Sequence, residues 1–182
     1  MVLRILKFNT IVFLLTLFFF NISNANEIIG TPYIVDGDTI KINNFKIRFF
    51  GIDAPEIKQT CMLNNKEWEC GKESKNFLIN IINNENIRCE ILGKDMYKRF
   101  ICECFIKDKN INKLMVRNGW AIAYRRYSKK YISDEIYAKN KKNGVWISIF
   151  EKPWEYRKKI KNLSINFLTL DRPYKFPDLL QL

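Results

Sequence analysis

The stretch TIKINNFKIRFF at residues 39–50 decides the fold of this chain. From Phe45 to Phe49 apolar and basic residues alternate, and this period of two predicts a half-buried strand with Arg48 on the face opposite the apolar side chains. Asn43-Asn44 precedes this strand and favours a two-residue turn, because asparagine tolerates a positive φ. Thr39–Ile42 is therefore predicted to be the antiparallel partner strand of a hairpin.

Three more strands and three helices are predicted outward from this hairpin. The strands are Ile28–Val35, which Gly30 and Pro32 interrupt, Ile87–Leu92 and Arg99–Ile106. The helices run from about Gly71 to Asn83, over a short segment around Ile111–Met115, and from about Ser133 to Asn143, whereas Pro55–Cys70 is predicted to be irregular. Five short strands with a helix between the third and the fourth predict an α+β protein, mainly β, built on a five-stranded Greek-key barrel of the OB type.

The two ends of the chain are predicted to lie outside the folded domain, which we place at residues 26–157. Residues 1–25 have the basic start, the apolar segment and the small residues of a secretory signal peptide, with cleavage after Ala25. Such cleavage predicts a periplasmic or secreted protein, and the alternative is an uncleaved N-terminal anchor. Residues 158–182 contain no long helical stripe and are interpreted as a C-terminal tail.

The exported part of the chain is basic. Loss of residues 1–25 removes Arg4 and Lys7 and lowers the formal net charge from +12 to +10. This excess favours a polyanionic partner, either nucleic acid or an anionic membrane surface. A hydrophobic content of 47% excludes a chain that is disordered throughout.

Five cysteines lie in the exported part, where an oxidising compartment allows them to pair. Cys61 and Cys70 bracket a short insert and are the first candidate disulfide. Cys89 could pair with Cys102 or Cys104, which share a face of one strand, and one thiol then stays unpaired. The alternative for these three is that they are small apolar core residues. The sequence has no CxxC spacing and no histidine, which argues against a zinc site.

Acidic residues lie at both ends of the predicted hairpin. Asp38 comes just before it, and Asp53 and Glu56 come shortly after it, so the antiparallel pairing brings the three together. Converging carboxylates repel one another unless a cation joins them, and oxygen-only ligands favour Ca²⁺ or Mg²⁺. Arg48 suits a phosphate group, and its alternative role is a salt bridge to one of these acids. Asp36-Gly37 alone indicates a common turn.

These motifs and several later ones occur in an order and spacing that resemble the staphylococcal nuclease (thermonuclease) family. The similarity extends from about Tyr33 to Arg157, and its late part resembles the exported Gram-negative branch. The motifs are Asp36-Gly37-Asp38-Thr39, the five-residue step from Arg48 to Asp53, Asp53-Ala54-Pro55-Glu56, Cys70-Gly71-Lys72-Glu73, Asp95-x-Tyr97-x-Arg99, Gly119-Trp120-Ala121, Arg125-Arg126-Tyr127-Ser128, Gly144-Val145-Trp146, Phe150 and Pro153-Trp154.

The resemblance implies an OB-fold nuclease that uses Ca²⁺ to hydrolyse DNA and RNA. Separately, we expect a monomer without an obligate protein partner. The resemblance implies a Glu general base and two phosphate-binding arginines, one of which, Arg99, would be ordinary surface decoration if taken alone. The implied roles are Asp38, Asp53 and the carbonyl of Ala54 on the metal, Glu56 as the base, and Arg48 and Arg99 on the phosphate.

The resemblance also implies a nucleotide pocket that is lined by Tyr97 and by Arg125 or Tyr127. One departure concerns the loop before Arg99. The family usually has glycine at this position, and this chain has Lys98, which could alter the loop that aims Arg99 or add a phosphate contact.

Two other functions are compatible with the composition. The first is a non-catalytic nucleic-acid-binding OB module, against which the presence of all the implied catalytic acids and arginines argues. The second is a basic protein of the membrane surface that an uncleaved N-terminus anchors.

Overall fold

The computed structural model describes residues 26–170, with side chains as far as residue 165. The predicted signal peptide and residues 171–182 lie outside the described residues. A curled main β-sheet, two small two-stranded sheets, four α-helices and a short 3₁₀-helix (Gly144–Ile147) make up the described part of this α+β protein. Within residues 26–170, no helix is both long and apolar enough to cross a membrane.

The strands include all five that the sequence predicts, the first of them divided into two pieces. In chain order they are β1 (Glu27–Gly30), β2 (Tyr33–Ile34), β3 (Thr39–Ile42), β4 (Phe45–Phe49), β5 (Ile52–Asp53), β6 (Cys61–Leu63), β7 (Lys66–Trp68), β8 (Ile87–Lys94), β9 (Phe100–Ile106), β10 (Lys109–Asn110) and β11 (Ile122–Ala123).

The main sheet curls because its two outer strands are consecutive pieces of one segment. The strand order is β1-β8-β9-β4-β3-β2, so β1 and β2 lie at opposite ends of the sheet although only Thr31 and Pro32 separate them. Gly30 and Pro32 cause the break. Proline has no amide hydrogen for the ladder, and a Cβ on Gly30 would lie 2.7 Å from Cγ2 of Ile42. This is the OB-type arrangement that the sequence predicts.

The β3–β4 hairpin has the predicted turn and supplies much of the core. Asn43 has a φ of 51°, and Ile40 lies opposite Ile47 in the antiparallel register. Both isoleucines are fully buried, as is Ile42. A shift of the register by one residue would turn this apolar face to solvent, so burial fixes the pairing.

The three predicted helices are present, and a fourth was not predicted. They are α1 (Cys70–Ile82), which lies between the third and fourth barrel strands, α2 (Ile111–Arg117), α3 (Ile132–Lys141) and α4 (Pro153–Leu170). Helix α4 continues past residue 157, so residues 158–170, which we interpreted as part of a tail, are helical.

The segment 55–70 is less irregular than predicted, because β6 and β7 form a second hairpin. Its turn is Asn64-Asn65, whose φ angles are 51° and 62°. This is the same Asn-Asn signal that indicates the β3–β4 turn. The strands here are only three residues long and do not alternate clearly, which hides them from a periodicity argument.

The structure contains two disulfides. Cys61–Cys70 fastens the β6–β7 hairpin to the start of α1. Cys89–Cys104 joins β8 to β9 at residues that lie directly opposite each other. Cys102 is a buried free thiol, and burial raises its pKa to about 12, so it stays protonated and inert.

Candidate active site

The ends of the β3–β4 hairpin bring the predicted acids together. The Phe49 amide donates to the Asp38 carbonyl at 2.8 Å, which holds the start of β3 beside the end of β4. The chain then enters β5, which ends at Asp53. The Ala54 amide donates to Oδ2 of Asp38 at 2.8 Å, so the two acidic segments are joined directly. Both aspartates are buried, Asp53 completely.

Arg48 lies between these two aspartates and binds both. Its Nη1 is 2.6 Å from Oδ1 of Asp38, and its Nη2 is 2.5 Å from Oδ1 of Asp53. The Arg48 side chain is only 17% exposed. The structure thus contains the salt bridge that was the alternative role for this arginine, made with two acids instead of one.

Asp36 and Gly37 form the turn that positions Asp38. Oδ1 of Asp36 accepts from the Asp38 amide at 3.0 Å, an aspartate turn of the expected kind. Burial, and secondly the charge of Asp38, raise the pKa of Asp36 to about 7. Gly37 packs so closely on α1 that an added Cβ would lie 2.0 Å from Oγ of Ser74. Asp36 therefore stabilises the turn beside the site.

Asp36, Asp38, Asp53 and Glu56 form an acidic cluster. Glu56 lies at its rim, where its side chain is 32% exposed. Its Oε1 accepts from Nη1 of Arg157 at 2.7 Å. The same guanidinium binds Asp53 through two bonds, of 3.0 Å from Nη1 to Oδ1 and 2.9 Å from Nη2 to Oδ2. Arg157 is thus a further site residue, and the sequence argument did not identify it.

Contacts at the start of α4 bring Arg157 to the site. Trp154 stacks on Tyr124 with ring centroids 5.2 Å apart, and Nε2 of Gln59 donates to the Glu151 carbonyl at 2.6 Å. Arg157 follows Trp154 by three residues, nearly one helical turn. Its partner Asp53 is 104 positions away in the sequence, so no local pattern indicates the contact. The nearest signal is that Arg157 ends the segment that resembles the family.

Arg99 is held by its own loop. Its Nε donates to Oδ2 of Asp95 at 2.7 Å, and its backbone amide donates to Oδ1 at 3.0 Å. These bonds lower the pKa of Asp95 although desolvation acts against them. The Arg99 guanidinium lies 5.5 Å from the ring centroid of Tyr97, which is 72% exposed. Among residues 26–165, neither Arg99 nor Tyr97 forms a hydrogen bond or ion pair with the acidic cluster.

Lys98 has a backbone conformation that explains why the family usually has glycine there. Its φ is 63°, in the left-handed region, and its amide donates to the Asp95 carbonyl at 3.0 Å to close the turn before Arg99. For residues other than glycine this region costs roughly 1–2 kcal/mol. The loop adopts this turn although residue 98 is lysine, so the backbone of Lys98 is strained.

The variant Lys98→Gly is therefore expected to raise the free energy of unfolding by about 0.5–1 kcal/mol, because the relief of strain exceeds the entropy that glycine loses on folding. Urea denaturation measures this change. Lys109→Gly is the matched control, since Lys109 lies in a strand and its replacement is expected to destabilise. Equal losses of stability in both variants would contradict the explanation.

Arg125 and Tyr127, the other predicted substrate contacts, lie near a groove that runs beside β11. Ile122, which lines the groove, lies in β11 directly opposite Asp53 in the antiparallel register. Arg125 forms an ion pair with the buried Glu135 at 2.5 Å, and the exposed Tyr127 packs edge-on against Tyr124. The groove has a volume of about 530 Å³ and an aromatic and basic lining of Tyr124, Arg125, Arg126, Lys139, Trp146, Phe150, Lys152 and Trp154, with Ile122 and Glu135.

The acidic cluster fits a divalent cation by charge and by donor type. When ionised, Asp36, Asp38, Asp53 and Glu56 carry four negative charges, and Arg48 and Arg157 supply the only positive charges that contact them within residues 26–165. No group of three or more His, Cys, Asp or Glu side chains in the described chain is arranged to hold an ion. Two carboxylates with backbone carbonyls and water suit Ca²⁺ or Mg²⁺.

Comparison with known proteins identifies relatives. The family model described as "Staphylococcal nuclease homologue" matches residues 46–148, more than half of the chain. The "Succinoglycan biosynthesis protein ExoI" of Rhizobium meliloti is 35% identical over 126 residues, which cover 67% of this chain and 66% of that protein. An "Uncharacterized endonuclease" of Haemophilus influenzae is 32% identical over 146 residues, which cover 75% of this chain and 76% of that protein.

Plant relatives are longer. The "Probable staphylococcal-like nuclease CAN4" of Oryza sativa is 32% identical over 131 residues, or 70% of this chain, but the chain spans only 25% of that protein. Arg157 lies outside the residues that the family model matches.

Proposed function

Because the chain belongs to the staphylococcal nuclease family, we propose that it is a nuclease that hydrolyses phosphodiester bonds of DNA and RNA with the help of Ca²⁺. The observation that carries the proposal is Arg48, which lies between two buried aspartates with Glu56 at their rim. Buried acids and a guanidinium at the ends of the β3–β4 hairpin suit a reaction in which negative charge grows on a phosphate.

Each residue of the site then has one task. Asp38, Asp53 and the Ala54 carbonyl hold the cation, which when bound supplies positive charge beside the phosphate. Glu56 takes the proton from the attacking water, since its side chain is 32% exposed and water can reach its carboxylate. Arg48 and Arg99 bind the phosphate oxygens.

The substrate class follows from the surfaces beside the site. A groove with aromatic rings and cations is typical of surfaces that bind nucleic acid, because bases stack on the rings and phosphates pair with the cations. We assign Arg125 and Tyr127 to this side, and Tyr97 and Lys98 to the side of the Arg99 loop.

The alternative is a nucleic-acid-binding module without catalysis. Such a module needs the basic groove but not a buried ion-pair network of two aspartates and an arginine, which is costly to desolvate. The presence of this network favours the nuclease.

Digestion of plasmid DNA and of RNA, with Ca²⁺ or with EGTA, tests the proposal. We expect cleavage of both substrates with Ca²⁺ and none after EGTA removes the cation. Salt-dependent binding of DNA without cleavage in Ca²⁺, Mg²⁺ or Mn²⁺ would support the binding module instead.

We also propose that the protein is exported to the periplasm or the medium after cleavage of residues 1–25. Two disulfides among five cysteines support this, because such bonds persist in oxidising compartments. The intact mass of the protein used in the digestion assay is expected to place its N-terminus at Asn26.

A further inference from the structure

Arg157 occupies the carboxylates that the proposed reaction needs. Of the two Asp53 oxygens, Oδ1 accepts from Arg48 and Arg157, and Oδ2 accepts from Arg157. The Glu56 oxygen Oε1 accepts from the same guanidinium. Both carboxylate oxygens of Asp53 therefore accept hydrogen bonds from arginine guanidinium groups.

The Arg157 side chain can move away from Asp53 more readily than that of Arg48. The Arg157 side chain is 38% exposed, whereas that of Arg48 is 17% exposed and lies in the barrel wall on β4. The backbone of Arg157 is held separately by the packing of Trp154 on Tyr124, so the long side chain can move without undocking α4. A divalent cation on Asp53 would also repel it, because like charges at this distance interact strongly in a partly buried site.

We propose that Arg157 is an internal counter-ion that competes with the divalent cation for Asp53 and so sets the affinity of the site for metal. The inference rests on the proposed function for the place of the metal, but not on cleavage. Arg157 neutralises Asp53 and Glu56 in the metal-free protein and releases Asp53 when the cation binds. Arg157 lies in α4, beyond residues 46–148 that the family model matches, at the end of the segment that resembles the exported branch of the family.

The competition predicts that removal of Arg157 increases the affinity for Ca²⁺, although removal of a site residue usually weakens binding. Arg157→Gln is expected to bind Ca²⁺ more tightly than the wild type, by roughly 5- to 150-fold, the usual range of coupling between two binding events. Arg157→Lys keeps the charge but not the paired bonds to Asp53, and its affinity is expected to lie between the two. Isothermal titration of Ca²⁺ into the protein without nucleic acid measures these affinities.

Two controls separate direct competition from a general effect of charge. Lys158→Gln removes the same charge from the next, exposed residue of α4, and a change of less than about twofold is expected because solvent screens it. The gain in Arg157→Gln is expected to persist at about 0.5 M salt, where the Debye length is only a few ångströms and general charge effects fade.

An Arg157→Gln affinity that equals or falls below that of the wild type overturns the proposal, as does a gain that Lys158→Gln reproduces. If neither the wild type nor Arg157→Gln binds Ca²⁺, the proposal is also wrong. Should Arg157→Gln fail to fold, the Arg157→Lys affinity decides alone. Cleavage without a change in affinity rejects only this inference, and a change in affinity without cleavage rejects only the nuclease.

Discussion

Replacement of Glu56 with glutamine is expected to reduce the Ca²⁺-dependent rate of DNA cleavage about 10²–10⁴-fold, the usual contribution of a general base. Glutamine has the same shape and can still accept the hydrogen bond that Arg157 donates, but it cannot take a proton from water. Because the side chain is 32% exposed, loss of its ion pair is expected to change the stability by less than about 1 kcal/mol. Initial rates of plasmid nicking, together with thermal denaturation, separate the two effects.

Glu151→Gln provides the matched control. Glu151 lies near the start of α4 and forms an exposed ion pair with Lys159, so its charge can be removed without touching the acidic cluster. We expect its cleavage rate to stay within about twofold of the wild type, since exposed pairs contribute little. Cleavage by Glu56→Gln at a similar rate would mean that another group takes the proton.

Arg48→Met is expected to lower the free energy of unfolding by about 3–5 kcal/mol, because removal of one partner leaves buried charges without compensation. Asp38 has no other basic partner within residues 26–165, and its side chain is 4% exposed. Cleavage is expected to fall by about 10²–10³ as well, through loss of a phosphate contact. Urea denaturation with and without Ca²⁺ measures the stability, and Ca²⁺ is expected to restore part of it by replacing the lost positive charge.

The control for this variant is Arg126→Met, which removes an exposed arginine and is expected to change stability by less than about 0.5 kcal/mol. A loss below about 1 kcal/mol in Arg48→Met would show that water or Arg157 compensates the aspartates, and that the pairing of Arg48 with both acids does not govern the stability.

The barrel could be predicted from sequence because its signals are local. The alternation from Phe45 to Phe49 and the Asn43-Asn44 turn fix one hairpin, and that hairpin brings Asp38 close to Asp53. Helix α4 has no long apolar stripe, since it is held by a few contacts of its first turn. Arg157 was missed for a second reason, because its partners Asp53 and Glu56 lie 104 and 101 positions earlier in the sequence.

The partner of Cys89 shows a different limit. A bulge between Ile91 and Gly93 shifts the β8–β9 register by one residue, and Cys89 then lies opposite Cys104. Without the bulge, the register next to the turn would continue and Cys89 would lie opposite Phe105. One extra residue in one strand therefore decides the pair, and periodicity within each strand does not reveal it.

The curled sheet has a consequence for behaviour at high concentration. An open sheet presents a row of unpaired backbone groups at each edge, which another chain can extend into an aggregate. Here the two outer strands are β1 and β2, of four and two residues, joined by Thr31 and Pro32. Because these edge strands are short and adjoin a proline, a neighbouring molecule finds almost no template on which to add strands.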